Sequence, residues 1–287
     1  MSFPSDAALP PRSAALHRAF LAACRAELDA LKPGNVHVHG EGHGMTVEDF
    51  LKSAAAAALP LCRPHVPVGR RIYDAVAASW AAVPCNTNLG IILLAAPLIA
   101  AAEDGGGALR DRVARVLETL TVTDAADCFA AIALANPAGL GRAPAQDVSA
   151  PPTETLRAAM TLAAGRDRIA RQYATDYEDV FAIGVSRIAE SRRFCHSAEW
   201  TTTLVYLDFL VAFTDSHIAR KYGAQTAERV RRDADALTRR LPSDPEAAFP
   251  LLLEFDRDLK GSGLNPGTSA DLTVAALLAD AAAELDD

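Results

Sequence analysis

The chain has 287 residues, half of them apolar and only 6% aromatic, with a formal charge of −8. An alanine-rich, aromatic-poor composition favours closely packed helices over sheets. The negative charge leaves no basic excess for a general nucleic-acid binder. The five cysteines show no C-x-x-C pair and the first residues lack a secretory pattern, so they read as reduced thiols of a cytoplasmic protein. The most apolar run, Ile91 to Ala102, is too short to span a bilayer.

Residues 1 to 12 read as a disordered tip closed by Pro10 and Pro11, and residues 13–287 as one all-helical domain. Leu16, Phe20, Ala23 and Leu28 recur at helical spacing from Ser13, a candidate cap, to about Leu31. A polar loop follows, Lys32 to Met45, with four glycines and three histidines. Thr46 opens a second helix, with Glu48 and Asp49 in its first turn, that runs to about Leu59 and is closed by Pro60 and Pro64. A third helix is predicted over Arg71 to Trp80. Pro84 to Gly90 forms a second polar island, in which Asn86, Thr87 or Asn88 can cap an apolar helix that Pro97 kinks.

Further helices are predicted over Leu109 to Thr119 and Thr123 to Ala135. Asn136 to Pro152 reads as a long surface loop. Helices resume over Thr153 to Thr175, Tyr177 to Glu190 and Glu199 to Ala212. A third island, Phe213 to Gly223, precedes helices at about Ala224 to Arg240 and Pro245 to Lys260. The fourth, Gly261 to Asp271, opens the last helix, Leu272 to Leu285. The fold class is therefore all-α, a multi-helix bundle whose polar loops form one cleft.

Three of the four islands join a turn to a helix start rich in Asn, Ser, Thr or Asp. Helix N-termini present free N–H groups and partial positive charge, which suits phosphate. Lys32, Arg220 and Lys221 could add full charges, while Glu27, Asp215 and Asp271 could hold Mg²⁺ or act as a general base. Such a set suits a nucleoside triphosphate. Each island also reads as ordinary capping, and Asp215 and His217, two apart, share no helix face. His37, His39 and His43 are a competing metal-ligand cluster, which would imply a metal-dependent hydrolase of a phosphorylated small molecule. Cys85 has no base placed by the sequence for a nucleophilic role.

Taken in order, Glu27 with Lys32-Pro-Gly-Asn-Val36, Gly42-His-Gly-Met45 with Phe50 and Ser53-Ala54, Asn86-Thr-Asn-Leu-Gly90, and Leu264-Asn-Pro-Gly-Thr-Ser-Ala-Asp-Leu272 resemble the triphosphoribosyl-dephospho-CoA synthase family over nearly the whole chain. The resemblance implies an all-helical transferase that joins ATP, as a Mg²⁺ complex, to 3′-dephospho-CoA and releases adenine. It implies catalytic roles for Glu27, His43, Asp215 and Asp271, with Glu27 and Asp271 on Mg²⁺. Substrate contacts would come from Lys32, Gly34, Asn35, Asn86, Thr87, Asn88, His217, Arg220, Lys221, Asn265, Gly267 and Ser269. Partners would be small molecules, with neither nucleic acid nor membrane, and a homodimer is an admissible assembly.

The chain departs from the family pattern where Asn88-Leu89 replaces the usual His-Lys, and where Asn35-Val36-His37 follows Gly34. The stretch Asp215 to Gly223 resembles a divergent branch, for which another acceptor, such as a methanopterin-type cofactor precursor, is the alternative.

Overall fold

The computed structural model describes residues 9–137 and 145–286. Residues 1–8 of the expected tip and 138–144 of the expected surface loop lie outside the described residues. The helix starts earlier than the tip allowed: α1 is Pro11–Asp29, with proline in the first turn, where its missing N–H costs nothing, and no side-chain cap from Ser13.

Then come α2 (Val47–Cys62), α3 (Val68–Ala82), α4 (Leu89–Ala102), α5 (Leu109–Glu118), α6 (Val122–Ala135), α7 (Leu156–Ala163) and α8 (Arg168–Ala174). A π-helical turn, Val180–Val185, leads into α9 (Ser186–Arg193), followed by α10 (Ala198–Ala212), α11 (Ser216–Tyr222), α12 (Ala224–Thr238), α13 (Pro245–Gly261) and α14 (Gly267–Ala283). No strand occurs among the described residues, only two isolated bridges inside the histidine loop, His37 with Gly40 and Gly42 with Met45. The all-helical expectation holds. No helix among the described residues is long and apolar enough to cross a membrane.

Several boundaries differ for local reasons. Pro60 lies inside α2 rather than ending it. The helix expected across Thr153 to Thr175 is two helices, because the chain turns at Ala164–Asp167 and Asp167 caps a new start through the N–H groups of Ile169 and Ala170. The third island is largely helical as α11, which Asp215 caps. The last helix begins at Gly267, five residues before the expected Leu272.

Two apolar cores result. The larger gathers α1 to α6 and α14, with Leu94, Leu98, Ile99, Leu272 and Leu278 fully covered. The smaller joins α10, α12 and α13, with Leu31 just before the first polar island and Leu264 and Ala270 from the fourth. Each fully buried Leu or Ile contributes about 1.5–3 kcal/mol. Helix α14 packs on α1, α4, α10 and the π-helical turn, so it spans the space between the cores. The islands converge where the cores meet.

Helix α4 continues through Pro97. Proline there removes the N–H that would bond the Leu93 carbonyl one turn earlier. Two buried tyrosines answer this: Tyr173 Oη donates to Leu93 O at 2.6 Å, and Tyr177 Oη to Leu94 O at 2.9 Å. Burial pushes both phenols well above their ordinary pKa, so they stay protonated donors. Tyr173→Phe leaves a buried carbonyl without a partner, and a loss of about 1–3 kcal/mol is expected in urea denaturation. Tyr177→Phe costs less, about 0.5–1.5 kcal/mol, because Leu94 keeps its helical donor.

Candidate active site

A cavity of about 690 Å³ opens where the islands meet. Of the expected site residues, Glu27, Asn35, Asn86, Thr87, His217, Arg220, Asn265, Gly267 and Asp271 line it. The others lie outside its lining, and their contacts show what they do.

Lys32 is wholly buried and is not part of the cavity lining. Its ammonium pairs with Glu27 and donates to Asn35 Oδ1 at 3.1 Å and Val36 O at 2.6 Å. Burial raises the Glu27 carboxyl and lowers the Lys32 ammonium, and each partner's charge opposes the shift in the other. Asn35 extends the chain of contacts, donating from Nδ2 to Asn265 Oδ1 at 2.7 Å. In place of the expected phosphate contact, Lys32 makes an anchor for Glu27 and Asn35.

The loop around this anchor is latched by α13. Gly34 N–H donates to Asp256 Oδ1 at 2.8 Å, and Lys260 Nζ donates to Asp256 Oδ2 at 3.0 Å and Gly40 O at 2.7 Å. Gly34 itself has φ +84°, and a Cβ there would lie 2.8 Å from Pro266 Cδ, so only glycine lets the loop close on the fourth island. The sequence reading missed Asp256 and Lys260; their signal was a charged pair one turn apart on an otherwise amphipathic helix.

The three histidines do not converge. His37 Nε2 lies 3.2 Å from Asp256, the His39 ring meets Phe249 edge-on, and His43 Nε2 lies 2.8 Å from Gly34 O. No group of three His, Cys, Asp or Glu side chains forms a metal cluster among the described residues. The histidine-cluster hydrolase has no geometric basis here. His43, expected to be catalytic, braces the loop.

Asp215, also expected to be catalytic, is buried and caps two helices at once. Its Oδ1 accepts from His217 N–H at 2.9 Å and Ile218 N–H at 3.2 Å, and its Oδ2 accepts from Ser269 N–H at 2.9 Å and Ser269 Oγ at 3.0 Å. Burial pushes its carboxyl up to about 6 against the pull of these donors. Asp215 and Ser269 thus fix the starts of α11 and α14 to each other and present His217, Gly267 and Asp271 to the cavity. Burial, followed by the nearby Arg220 and Lys221 charges, holds His217 down to about 4, so it is a neutral hydrogen-bonding group at pH 7. Lys221 is exposed and lies over the Tyr222 ring, away from the cavity lining.

In the second island Thr87 Oγ1 donates to Ser53 Oγ at 2.6 Å and Asn88 Nδ2 to Ser79 Oγ at 3.1 Å. Asn86, not Asn88, caps, accepting from Leu89 N–H at 3.2 Å. Asn88 is therefore a tether to α3, and Leu89 takes the place on the cavity wall.

The cavity floor holds two carboxylates, Glu27 and Asp271. Burial first, then the charges of Glu27, Asp215 and Asp167, raise Asp271 well above the ordinary carboxylate range, with Arg220 opposing. Asp271 lies against the first turn of α4, where a Cβ on Gly90 would fall 2.0 Å from Asp271 Oδ2. Gly90→Ala must displace this carboxylate, and activity is expected to fall to that of an Asp271 variant while the far-ultraviolet circular dichroism stays native. Two mutually repelling carboxylates in a partly dehydrated floor suit a hard divalent cation that takes its other ligands from phosphate oxygens. One wall is apolar, formed by Leu93, Phe129, Ile132 and Met160, and the opposite wall carries Asp167 and Arg220, 3.2 Å apart. The starts of α4 and α14 also face in, neither with a side-chain cap at its N-cap residue.

An all-helical bundle that gathers paired carboxylates, helix N-termini and arginine around a cavity suits a nucleotide-using transferase. The family model for ATP:dephospho-CoA triphosphoribosyl transferase matches residues 13–287, and the chain belongs to that family. Among solved structures, the fold is similar to a crystal structure from Archaeoglobus fulgidus that bears the assigned name triphosphoribosyl-dephospho-CoA synthase. The identity is 22% and the TM-score 0.62, with 81% of this chain and 98% of that chain covered. None of the curated proteins compared matches the chain.

Proposed function

We propose that the chain moves the triphosphoribosyl group of ATP to the ribose 2′-hydroxyl of 3′-dephospho-CoA. The bond from the anomeric carbon to the adenine nitrogen breaks, a bond to the 2′-oxygen forms, and adenine leaves with a proton. The observation that carries this reading is the convergence of Glu27 from α1 and of Asn86, Arg220, Asn265 and Asp271 from three separated islands on one cavity, in a chain of this family.

Glu27, held by Lys32, accepts the proton of the attacking hydroxyl and faces the positive charge that develops at the anomeric carbon. Neutral His217 and the Asn86 and Asn265 amides orient the ribose and the leaving base. The starts of α4 and α14, with Arg220, receive phosphate oxygens. Mg²⁺ would be held by Asp271, with Glu27 on the same floor, and would neutralise triphosphate charge when bound.

Adenine release from ATP and Mg²⁺ with 3′-dephospho-CoA, together with a product heavier by one triphosphoribosyl group, tests the proposal. Absence of both in a protein that binds ATP would overturn it. The apolar wall at Phe129 and Met160 favours one second reading, an acceptor bearing an uncharged aromatic group, as in a methanopterin-type precursor. Adenine release with such an acceptor, and none with 3′-dephospho-CoA, would select it.

A further inference from the structure

Among the described residues, the lining of the cavity is short of positive charge. Four carboxylates of the described lining reach it, Glu27, Asp147, Asp167 and Asp271, against two permanent cations, Arg166 and Arg220. His217 adds none, being neutral. The place on α4 where the family pattern carries lysine holds Leu89. A triphosphate brought into such a surface meets net repulsion unless each available cation engages it.

Arg220 is already committed in part to Asp167, at 3.2 Å. Arg166 differs. It stands in the turn Ala164–Asp167, where an otherwise continuous helical sequence is interrupted, and this interruption brings Gly165, Arg166 and Asp167 to the cavity. The turn is fixed: Arg166 N–H and Asp167 N–H both bond Ala163 O, at 2.9 and 3.0 Å, and Asp167 caps α8. Arg166 is solvent-exposed, and its guanidinium pairs with no carboxylate among the described residues. A planar guanidinium on a rigid turn, facing a site that must take three linked phosphates, is well suited to bidentate phosphate contact.

We propose that Arg166 is a phosphate-binding and specificity-determining residue, which with Arg220 grips the outer phosphates of the nucleotide and selects triphosphate over monophosphate. This rests on the transferase reading for its substrate class, but its test does not.

The experiment measures competition by inorganic tripolyphosphate against a fluorescent ATP analogue, with AMP as a second competitor, for wild type, Arg166→Ala and Arg166→Lys. Tripolyphosphate is expected to bind Arg166→Ala at least tenfold more weakly than wild type, with partial recovery in Arg166→Lys and AMP unchanged. A steeper fall of wild-type affinity with salt than that of Arg166→Ala is the accompanying sign. Equal tripolyphosphate affinity in wild type and Arg166→Ala would overturn the proposal, as would equal weakening of AMP. If tripolyphosphate binding depends on Arg166 but no acceptor yields adenine, the proposal stands and the transferase reading falls. Native circular dichroism of Arg166→Ala is the control, and Arg166→Lys carries the test if that variant misfolds.

Discussion

Asp271→Asn is expected to lower adenine release by about 10²–10³-fold, the scale on which preorganised charge at a reacting centre acts, and at the same time to raise the thermal midpoint of the ligand-free protein at neutral pH. Both effects follow from one fact. Burial and the charges of Glu27, Asp215 and Asp167 raise the Asp271 carboxyl, so the folded chain keeps this proton to higher pH than the unfolded chain does. A carboxyl raised in the folded state favours folding below its unfolded pKa, and that contribution is lost as pH rises through the folded value. Asparagine removes the group that must ionise, and with it this loss. The same sign governs ligand binding: a divalent cation needs the ionised carboxylate, so affinity for the Mg²⁺ complex of ATP should rise with pH through the Asp271 titration and a proton should be released. Calorimetric titration in two buffers of different ionisation enthalpy measures that proton. An Asp271→Asn variant with wild-type adenine release, or with a lowered thermal midpoint, would contradict this account.

Lys32→Met is expected to destabilise the fold by about 3–5 kcal/mol, the usual cost of stranding one partner of a buried ion pair. Lys32 and Glu27 are 0% and 3% exposed, and the ammonium also holds Asn35 and the Val36 carbonyl. The double variant Glu27→Gln, Lys32→Met should recover most of that stability, because no charge is then stranded, yet should release no adenine, because the carboxylate is gone. Urea denaturation of the four members of this cycle separates the two roles. A Lys32→Met protein as stable as wild type would refute the anchor. A double variant that keeps activity would remove Glu27 from the chemistry.

Much of the fold was legible because helix formation is signalled locally. Apolar residues at helical spacing and Thr46 with Asp49 announce their helices, and this pair forms a capping box; the second box, Thr121 with Asp124, starts α6 one residue before the expected Thr123. The errors arose where a local signal was weak or ambiguous. Pro60 read as a helix end, yet α2 contains it; inside α4, the carbonyl that Pro97 leaves without its helical donor is met by Tyr173, from far along the chain. Gly165 and Asp167 were a readable break, a glycine before a helix-capping aspartate, but helical spacing on both sides masked it.

The candidate site divides along the same line. Residue types disclosed the chemistry: Asp271, Asn86, Asn265 and Arg220 were identified from their islands, Glu27 from the helix before the first of them, and all face the cavity. Which polar residues face substrate and which hold the walls could not be read from type. Lys32, Asp215, Asn88 and Ser269 carry the same functional groups as the lining residues, but each is spent on a buried partner. The sequence by itself determined an all-helical chain with polar islands suited to a nucleotide, since periodicity, capping and composition act over a few residues. Only the tertiary structure decided which polar groups remain open to a ligand, since that depends on whether a donor or charge finds its partner from another helix, as Asp256 meets Gly34 and Asp215 meets Ser269 across more than fifty residues of chain.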